Sequence, residues 1–264
     1  KAAGIWTDWT GGDLDSGTGF KAQGMITTGS SSVTVTYTNP QGVSFYNTGG
    51  GTYYYSNGTD GPNGTSPYTS SQVDNRPPTA DIVALQYAGT QSLVFSQAIA
   101  NPVFAFVSLN GNGYGFDQDF DILSFGGADG NACGYWGCGT SYKNIVTVNG
   151  KTEYQLLGTG EPHGTLRFTG TFDTVSWRSL SNENWNGFTV GVQETAVAFC
   201  TANPTAPSKM SAARRWNLAW LAAASAATQP STHSSVNSRL PGTRGRSPQL
   251  MPPAHSATLA KTMA

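Results

Sequence analysis

Hydrophobic and polar residues alternate along much of the first 199 residues, with the two-residue period of an extended strand that has one buried face. Residues 32–38 place Val33, Val35 and Tyr37 on one face and threonines on the other. Residues 102–109 are almost continuously apolar, a pattern typical of a central strand covered on both faces. The pattern therefore predicts a sheet protein with buried middle strands.

Further strands follow from the same patterning. Residues 82–87 and 92–96 predict a hairpin around the turn at 88–91, and residues 114–125 predict one long strand. Three more predicted strands are 165–172, 174–180 and 185–192. No window before residue 200 has a convincing helical period, so we expect an all-β fold. The expected architecture is an antiparallel two-sheet β-sandwich of jelly-roll type over residues 1–199.

Composition changes abruptly after this region. All fifteen acidic residues lie at or before Glu194, whereas residues 200–264 carry seven of the 14 Lys and Arg residues and seven of the 14 prolines. The body, residues 1–199, therefore has a formal charge of 7 − 15 = −8, and the tail has +7. The tail is rich in Ala, Ser, Pro and Thr, so we expect a disordered, low-complexity segment. A shifted reading frame near residue 195 or a different natural C-terminus would each produce this break.

The charge and composition of the body narrow the classes of partner. Its acidity disfavours nucleic acid, because the phosphates would be repelled. No stretch of the body reaches the ~18 apolar residues expected of a membrane span, so no transmembrane segment is predicted. The Gly-, Thr- and Asn-rich, Lys-poor composition favours an exported bacterial protein, and the absence of Met at position 1 fits either a removed signal peptide or a fragment.

Two cysteines lie close together in the sequence. Cys133 and Cys138 bracket a Gly-Tyr-Trp-Gly segment, which favours a local disulfide in an oxidising compartment; two reduced, buried thiols are the alternative. A zinc site is disfavoured, because only Cys200 and three scattered histidines remain as soft ligands.

Alternating carboxylates are the candidate metal ligands. Asp117, Asp119 and Asp121 would share one face of the predicted strand 114–125, where hard oxygen ligands suit Ca²⁺. Asp117 and Asp121 would stand ~13 Å apart on a straight strand, too far for one ion without a bulge. A solvated polar face is therefore the favoured interpretation, with calcium as the alternative, and no other cofactor is expected.

One possible catalytic pair occurs in a turn. Glu161 and His163 flank Pro162, and a carboxylate beside an imidazole can support acid–base chemistry. The sequence offers no Gly-x-Ser-x-Gly elbow, no His-Glu-x-x-His motif and no recognisable second catalytic group. We therefore expect no catalytic residues and no enzyme, with a hydrolase as the alternative.

Aromatic residues in loops are the candidate ligand contacts. Flat rings with polar rims can stack on sugar faces, and a disulfide would present a Tyr-Trp pair at little entropic cost. Packing over the sandwich edge is the alternative for these residues. The candidates are Tyr53, Tyr54, Tyr55, Tyr135 and Trp136. Four tryptophans on strand patterns are expected in the core instead: Trp6, Trp9, Trp177 and Trp185.

Five short sequence segments resemble segments of secreted bacterial proteins of the PEP-CTERM sorting class. They are IWTDWT at 5–10, VDNRPPTADI at 73–82, FDILSFG at 120–126, EPHGT at 161–165 and WNGFTVG at 185–191. The resemblance implies an exported β-rich ectodomain linked to exopolysaccharide and biofilm matrix. The sorting signature itself, a Pro-Glu-Pro motif followed by an apolar helix and an Arg cluster, is missing, so a membrane-sorting role does not carry over.

These observations favour a non-catalytic protein of the bacterial cell surface or extracellular matrix that contacts polysaccharide or other matrix proteins. Two alternatives stay open. One is a carbohydrate-active enzyme that uses Glu161 and one of the strand aspartates. The other is the subunit of an extracellular fibre assembled through strand edges.

Overall fold

The structure, a computed structural model, describes residues 4–13, 19–29, 31–57, 66–129 and 133–193, without the side chains of 126–129. The described residues form fifteen strands and no helix, and every strand pair is antiparallel, so the predicted all-β, two-sheet fold is confirmed. The chain divides into Lys1–Pro204 and Thr205–Ala264, and all described residues belong to the first unit. The predicted tail and Cys200 lie outside the described residues.

The strands, in chain order, are β1 (Gly4–Trp6), β2 (Asp8–Gly12), β3 (Phe20–Thr28), β4 (Ser31–Asn39), β5 (Phe45–Asn47), β6 (Ile82–Leu85), β7 (Gly89–Ala100), β8 (Val103–Val107), β9 (Tyr114–Phe116), β10 (Phe120–Asp129), β11 (Gly139–Val148), β12 (Lys151–Gly160), β13 (Gly164–Phe168), β14 (Thr171–Ser179) and β15 (Asn186–Gln193). The seven-stranded sheet has the order β10-β13-β8-β15-β6-β5, with β1 also paired to β15. The eight-stranded sheet has the order β11-β12-β9-β14-β7-β4-β3-β2.

The main core lies between the two sheets and is built from alternate residues of their strands. On β4, Val33, Val35 and Tyr37 are buried as the alternation predicts, and the intervening threonines lie on the opposite face. The opposing sheet contributes Phe104 and Phe188, whose rings stack with centroids 4.9 Å apart. Burial of one face of each strand therefore holds the two layers together.

Both faces of the seven-stranded sheet are covered at its centre. All five residues of β8 are buried: Phe104 and Phe106 enter the main core, whereas the alternate residues pack in a second apolar cluster on the outer face. Tyr55 and Tyr68 of the long β5–β6 connection belong to that second cluster. This connection covers the outer face of the sheet, which explains why β8 reads as continuously apolar.

The hairpin predicted at 82–96 is wrong, because its two strands belong to different sheets. β6 pairs with β5 and β15, whereas β7 pairs with β4 and β14. The segment between β6 and β7 therefore crosses from one sheet to the other. β6 is apolar and buried throughout, and the first half of β7 has buried residues at alternate positions. Neither pattern shows whether the next strand pairs in the same sheet or lies across the core.

The single strand predicted at 114–125 is also wrong. β9 ends at Phe116 in the eight-stranded sheet, and β10 begins at Phe120 in the seven-stranded sheet. The phenyl rings of Phe116 and Phe120 meet in the core with centroids 5.6 Å apart. Asp117 stabilises the end of β9, because its Oδ1 accepts a hydrogen bond of 2.9 Å from the Ser176 backbone amide. The predicted strand 165–172 similarly divides after Phe168, and Thr171 begins β14.

No helix that could span a bilayer occurs in the part of the chain that the structure describes.

Neighbouring residues on β7 provide a test of the two-layer packing. Leu93 is fully buried and Val94 is 43% exposed. We expect Leu93→Ala to lower the free energy of unfolding by about 2–5 kcal/mol, because it leaves a cavity between the sheets. Val94→Ala should cost no more than about 1 kcal/mol, the span of strand propensities. Urea denaturation of both variants measures the difference, and equal losses would contradict this assignment of faces.

Candidate functional site

A cavity of about 330 Å³ lies among the loops at one end of the sandwich. This volume falls at the lower end of the ~300–1,000 Å³ typical of small-molecule sites. Its walls combine two indole rings, two carboxyl groups and three smaller polar side chains. The residues are Trp136 and Trp185, Glu161 and Glu183, and Ser108, Asn110 and Asn184.

The loop between β14 and β15 carries Glu183 into this cavity. Asn112 anchors the start of the loop, because its Oδ1 accepts hydrogen bonds from the backbone amides of Leu180 and Ser181, at 3.0 and 2.9 Å. Asn186, buried at the start of β15, donates to Oε2 of Glu183 at 2.9 Å. The hydroxyl of Tyr114 donates to Oδ1 of Asn186, which orients the amide with its nitrogen toward Glu183. A hydrogen-bonded chain from the core therefore positions this carboxyl group.

Burial raises the pKa of Glu183 to about 7, from an ordinary value of 4.5. The hydrogen bond from Asn186 lowers the pKa, but it does not offset the loss of hydration. The negative charge of Glu161 raises the pKa further. About half of the Glu183 carboxyl groups are therefore protonated near neutral pH, in a cavity where they can donate that proton to a ligand.

Glu161 reaches the same cavity from the turn between β12 and β13. Its backbone amide donates to the carbonyl of Cys138 at 3.0 Å, and its Oε1 accepts a hydrogen bond from the hydroxyl of Ser108. Gly160 precedes it with φ +66°, and a Cβ there would lie 2.6 Å from the carbonyl oxygen of Cys138. The turn therefore requires glycine at this position, and its close approach to Cys138 links Glu161 to the disulfide loop.

The disulfide loop, residues 133–138, presents the aromatic side of the cavity. Cys133 and Cys138 are joined in a disulfide, as the sequence analysis expects, and the backbone of Gly134 and Gly137 closes the turn. Trp136 is 56% exposed at the tip of the loop. A short bridged loop thus presents an indole to solvent.

Four rings form an aromatic cluster around this loop: Tyr54, Tyr135, Trp136 and Trp185. The centroid of Tyr54 lies 5.0 Å from that of Tyr135 and 4.8 Å from that of Trp185, and Tyr135 lies 4.9 Å from Trp136. These are the edge-to-face separations that aromatic pairs favour. Trp136 and Trp185 line the cavity, so the cluster forms a rigid wall beside the two carboxyl groups.

The structure divides the predicted aromatic contacts into two groups. Tyr54, Tyr135 and Trp136 come together, whereas Tyr55 is wholly buried and its hydroxyl donates to the carbonyl of Asp81 at 3.1 Å. Tyr53 is half-buried, and its hydroxyl donates to the carbonyl of Pro77 at 2.6 Å. Tyr55 as a ligand contact is therefore wrong, because its ring is needed to cover the outer face of the seven-stranded sheet.

Among the four tryptophans expected in the core, Trp6, Trp9 and Trp177 are buried. Trp185 is only half-buried, because it lies just before β15 and belongs to the aromatic cluster.

The three aspartates do not share one face of a strand, because the predicted strand is broken between them. Asp117 ends β9, Asp119 forms an ion pair of 2.8 Å with Lys143, and Asp121 on β10 lies 3.8 Å from Arg167. Among the described residues, no group of three His, Cys, Asp or Glu side chains is placed to hold a metal ion. The geometry on which the calcium prediction depended is therefore wrong.

His163 lies beneath the disulfide loop and does not line the cavity. Its ring is buried, and its Nδ1 lies 2.8 Å from the carbonyl oxygen of Glu161, so Nδ1 carries the proton and donates it. Burial lowers the pKa of His163, and the hydrogen bond to Glu161 raises it less. A Cβ on Gly134 would lie 2.8 Å from this ring. His163 therefore packs against the loop as a neutral side chain, whereas the carboxyl group of Glu161 enters the cavity.

A second cavity, of about 230 Å³, lies among β9, β12 and β14. Its central group is Glu153, which accepts hydrogen bonds from Arg178 at 2.9 and 3.2 Å. Burial opposes the charge of Glu153, but the hydrogen bonds from Arg178 and Gln155 outweigh it and lower the pKa. Asp117 also lines this cavity, away from Glu161, so the predicted pairing of Glu161 with a strand aspartate finds no support here.

Sequence reasoning missed Glu183, Asn184 and Ser108, and it placed Trp185 in a strand. A signal was present at 182–185, where Asn-Glu-Asn-Trp separates two clear strand patterns. An acid and a tryptophan in one polar loop are the residue types of a sugar site. Their proximity to Glu161 depends on the sheet order, which the sequence does not reveal.

No known family model, curated protein or solved structure matches this chain.

The raised pKa of Glu183 predicts a stability change with pH. Between about pH 4.5 and 7 the native state holds a proton that the unfolded chain releases, so native stability from this group falls as pH rises. We expect Glu183→Gln to raise the melting temperature relative to the unmodified protein at pH 8, and the gain to disappear below pH 4. Thermal melts across pH 4–9 measure this difference.

Glu153→Gln is the matched control, because the pKa of Glu153 is shifted downward. A lowered pKa stabilises the native state above the ordinary value and loses this effect as pH falls. The control variant should therefore lose more stability at pH 8 than at pH 4. If the stability change between pH 4 and pH 8 had the same sign in both variants, the environments assigned to Glu183 and Glu153 would be contradicted.

Proposed function

We propose that this protein binds polysaccharide in the cavity lined by Trp136 and Trp185, as a secreted component of a bacterial cell surface or extracellular matrix. The observation that carries the proposal is the exposed indole of Trp136, which a disulfide loop holds beside two carboxyl groups. A single exposed apolar side chain is ordinary at a protein surface, so the proposal depends on the position of this ring beside the two carboxyl groups of the cavity.

The aromatic wall supports a sugar ligand. The faces of a pyranose ring carry C–H groups, which pack against indole rings, and its hydroxyl groups point outward around the edge. Trp136 and Trp185 meet with centroids 6.3 Å apart and planes inclined by 76°, so two sides of the cavity offer ring surface. Little ordering is needed on binding, because both rings pack against Tyr54.

The polar wall supports recognition of hydroxyl groups. Carboxylates accept hydrogen bonds and amides both donate and accept, so Glu161, Asn110 and Asn184 complement a ligand whose hydroxyls do both. A uronic acid polymer would meet repulsion from a body of formal charge −8. The favoured ligand class is therefore a neutral polysaccharide.

Two features support secretion. A disulfide persists in an oxidising compartment, and the bridge at Cys133 and Cys138 fits that setting. The resemblance to PEP-CTERM ectodomains supports the same location and a place in the exopolysaccharide matrix. We therefore propose a PEP-CTERM-like ectodomain outside the cell as well as a polysaccharide ligand.

Replacement of the exposed indole tests the proposal. We expect Trp136→Ala to weaken binding to a neutral polysaccharide about tenfold, equivalent to about 1.4 kcal/mol, because the sugar face loses its stacking partner. Isothermal titration against mixed-linkage β-glucan, xylan and galactomannan measures the affinity. Tyr142→Ala is the control, because Tyr142 is 49% exposed on β11, outside the cavity lining. Unchanged affinity in the Trp136 variant would contradict the assignment of this binding site.

Removal of the disulfide tests the role of the loop. The double replacement Cys133→Ser and Cys138→Ser should weaken binding by about 0.5–1.5 kcal/mol, the cost of immobilising one large side chain. The fold should persist, because the bridge joins residues only five apart in sequence. Titration of the variant, and of the unmodified protein with and without reductant, measures the effect. Equal affinities would show that packing alone holds Trp136.

A further inference from the structure

We propose that the same cavity hydrolyses a glycosidic bond of the bound polysaccharide, with Glu183 as general acid and Glu161 as general base. This activity rests on the proposed polysaccharide site and goes beyond it, because the sequence alone led us to expect a non-catalytic protein. The substrate is a neutral oligo- or polysaccharide, and the reaction consumes water.

Two carboxyl groups reach one cavity from two different turns. Glu161 precedes β13 and Glu183 precedes β15, and these strands lie on either side of β8 in the seven-stranded sheet. Antiparallel pairing with β8 brings the starts of both strands to the end of β8, where Ser108 also lies. The central strands of the sheet therefore fix the relative position of the two groups.

Each carboxyl group has one oxygen held and one oxygen available. Oε1 of Glu161 accepts from Ser108, and Oε2 of Glu183 accepts from Asn186. The other two oxygens have no hydrogen-bond partner among the described residues. Asn186 and Ser108 are positioning residues, because they restrict the rotation of carboxyl groups whose second oxygen stays open for a ligand.

The environment of Glu183 suits a general acid. Glu183 is half-buried, and both burial and the charge of Glu161 favour its protonated form at neutral pH. Oε1 of Glu161 accepts a hydrogen bond from the Ser108 hydroxyl, so this group already acts as a hydrogen-bond acceptor, the role that a general base needs. Neighbouring carboxyls whose environments separate their protonation states are the arrangement that divides the acid and base roles.

The aromatic wall distinguishes this cavity from a plain acidic cluster. Trp136 and Trp185 supply ring faces that orient a sugar, and the volume of about 330 Å³ leaves room for a water, which needs ~30 Å³. The second cavity holds a carboxylate too, but there Arg178 neutralises Glu153 with two hydrogen bonds. The cavity lined by Trp136 and Trp185 instead brings two carboxyl groups together without a Lys or Arg among its lining residues.

The reaction needs only the polysaccharide and one water molecule as reactants. Glu183 gives its proton to the glycosidic oxygen as the bond between that oxygen and the anomeric carbon breaks. A water molecule attacks the anomeric carbon, forms the new carbon–oxygen bond and gives a proton to Glu161. The products are one chain with a new reducing end and one with a free hydroxyl group, and proton exchange with solvent restores both carboxyl groups.

The test measures binding and cleavage separately on the whole chain. Binding is measured by titration with mixed-linkage β-glucan, xylan and galactomannan, and cleavage by the release of reducing ends from the polysaccharide that binds. We expect Glu183→Gln and Glu161→Gln each to keep affinity within about threefold, since amides replace the carboxyls at the same volume. Each should lose at least about 100-fold in cleavage rate, the lower limit for general acid–base catalysis. Glu153→Gln should retain the rate.

The pH profile separates catalysis from a structural role. The rate should fall as pH rises above about 7, because Glu183 then loses the proton that it must donate. In Glu183→Gln the residual rate should lack this alkaline limb, whereas a merely destabilised variant would keep its shape. Proton NMR of the first product should show an inverted anomeric configuration; a retained configuration would overturn the role of Glu161 as base.

The two proposals fail in different ways. A polysaccharide that binds at Trp136 but yields no reducing ends above a protein-free blank would overturn hydrolysis and leave the binding function standing. If none of the three polysaccharides binds, the proposed function fails and hydrolysis fails with it. Cleavage that persists in both glutamine variants would overturn the assigned residues.

Discussion

The centre of the seven-stranded sheet is apolar on both faces, and the rest of the structure depends on covering both. One face packs against the eight-stranded sheet through Phe104 and its neighbours. Among the described residues no third sheet covers the other face, and Tyr55 and Tyr68 of the β5–β6 connection pack there instead. Burying an apolar side chain is worth about 1.5–3 kcal/mol, enough to hold the segments around Tyr55 and Tyr68 against the sheet.

The packing of the β5–β6 connection on the seven-stranded sheet also shapes the candidate site. Tyr55 is held in the cluster, so its neighbour Tyr54 is placed over the end of the sheet, where its ring meets Tyr135 and Trp185. The disulfide loop then has an aromatic surface to pack on, and Trp136 is left exposed at the mouth of the cavity. The same apolar requirement that stabilises the sheet thus fixes the aromatic wall of the site.

The sequence was informative wherever burial on one or both faces determines the residue pattern of a strand. The alternation at 32–38 and the apolar run at 102–109 both predicted what is observed, because burial acts locally on each residue. The sequence-based predictions failed at 86–88 and 117–119, where the chain crosses from one sheet to the other. The strands before and after such a crossing bury residues in the same core, so their patterns do not reveal the crossing. Glu161 was identified as a candidate, but its partner Glu183 was not, because only the order β13-β8-β15 brings the two together.

The position of Glu183 opposes stability, and the surrounding residues show how the fold tolerates it. A half-buried carboxyl group beside another acid destabilises the native state as soon as it ionises. Asn186 and Asn112 offset part of this cost by fixing the carboxyl and its loop with hydrogen bonds. Replacing Glu183 by an amide would keep these contacts and remove the charge, so stability alone gives no reason for an acid here. An acid in a position that stability disfavours, in a cavity that also holds two indole rings and a second carboxyl group, is best explained by a ligand that receives its proton.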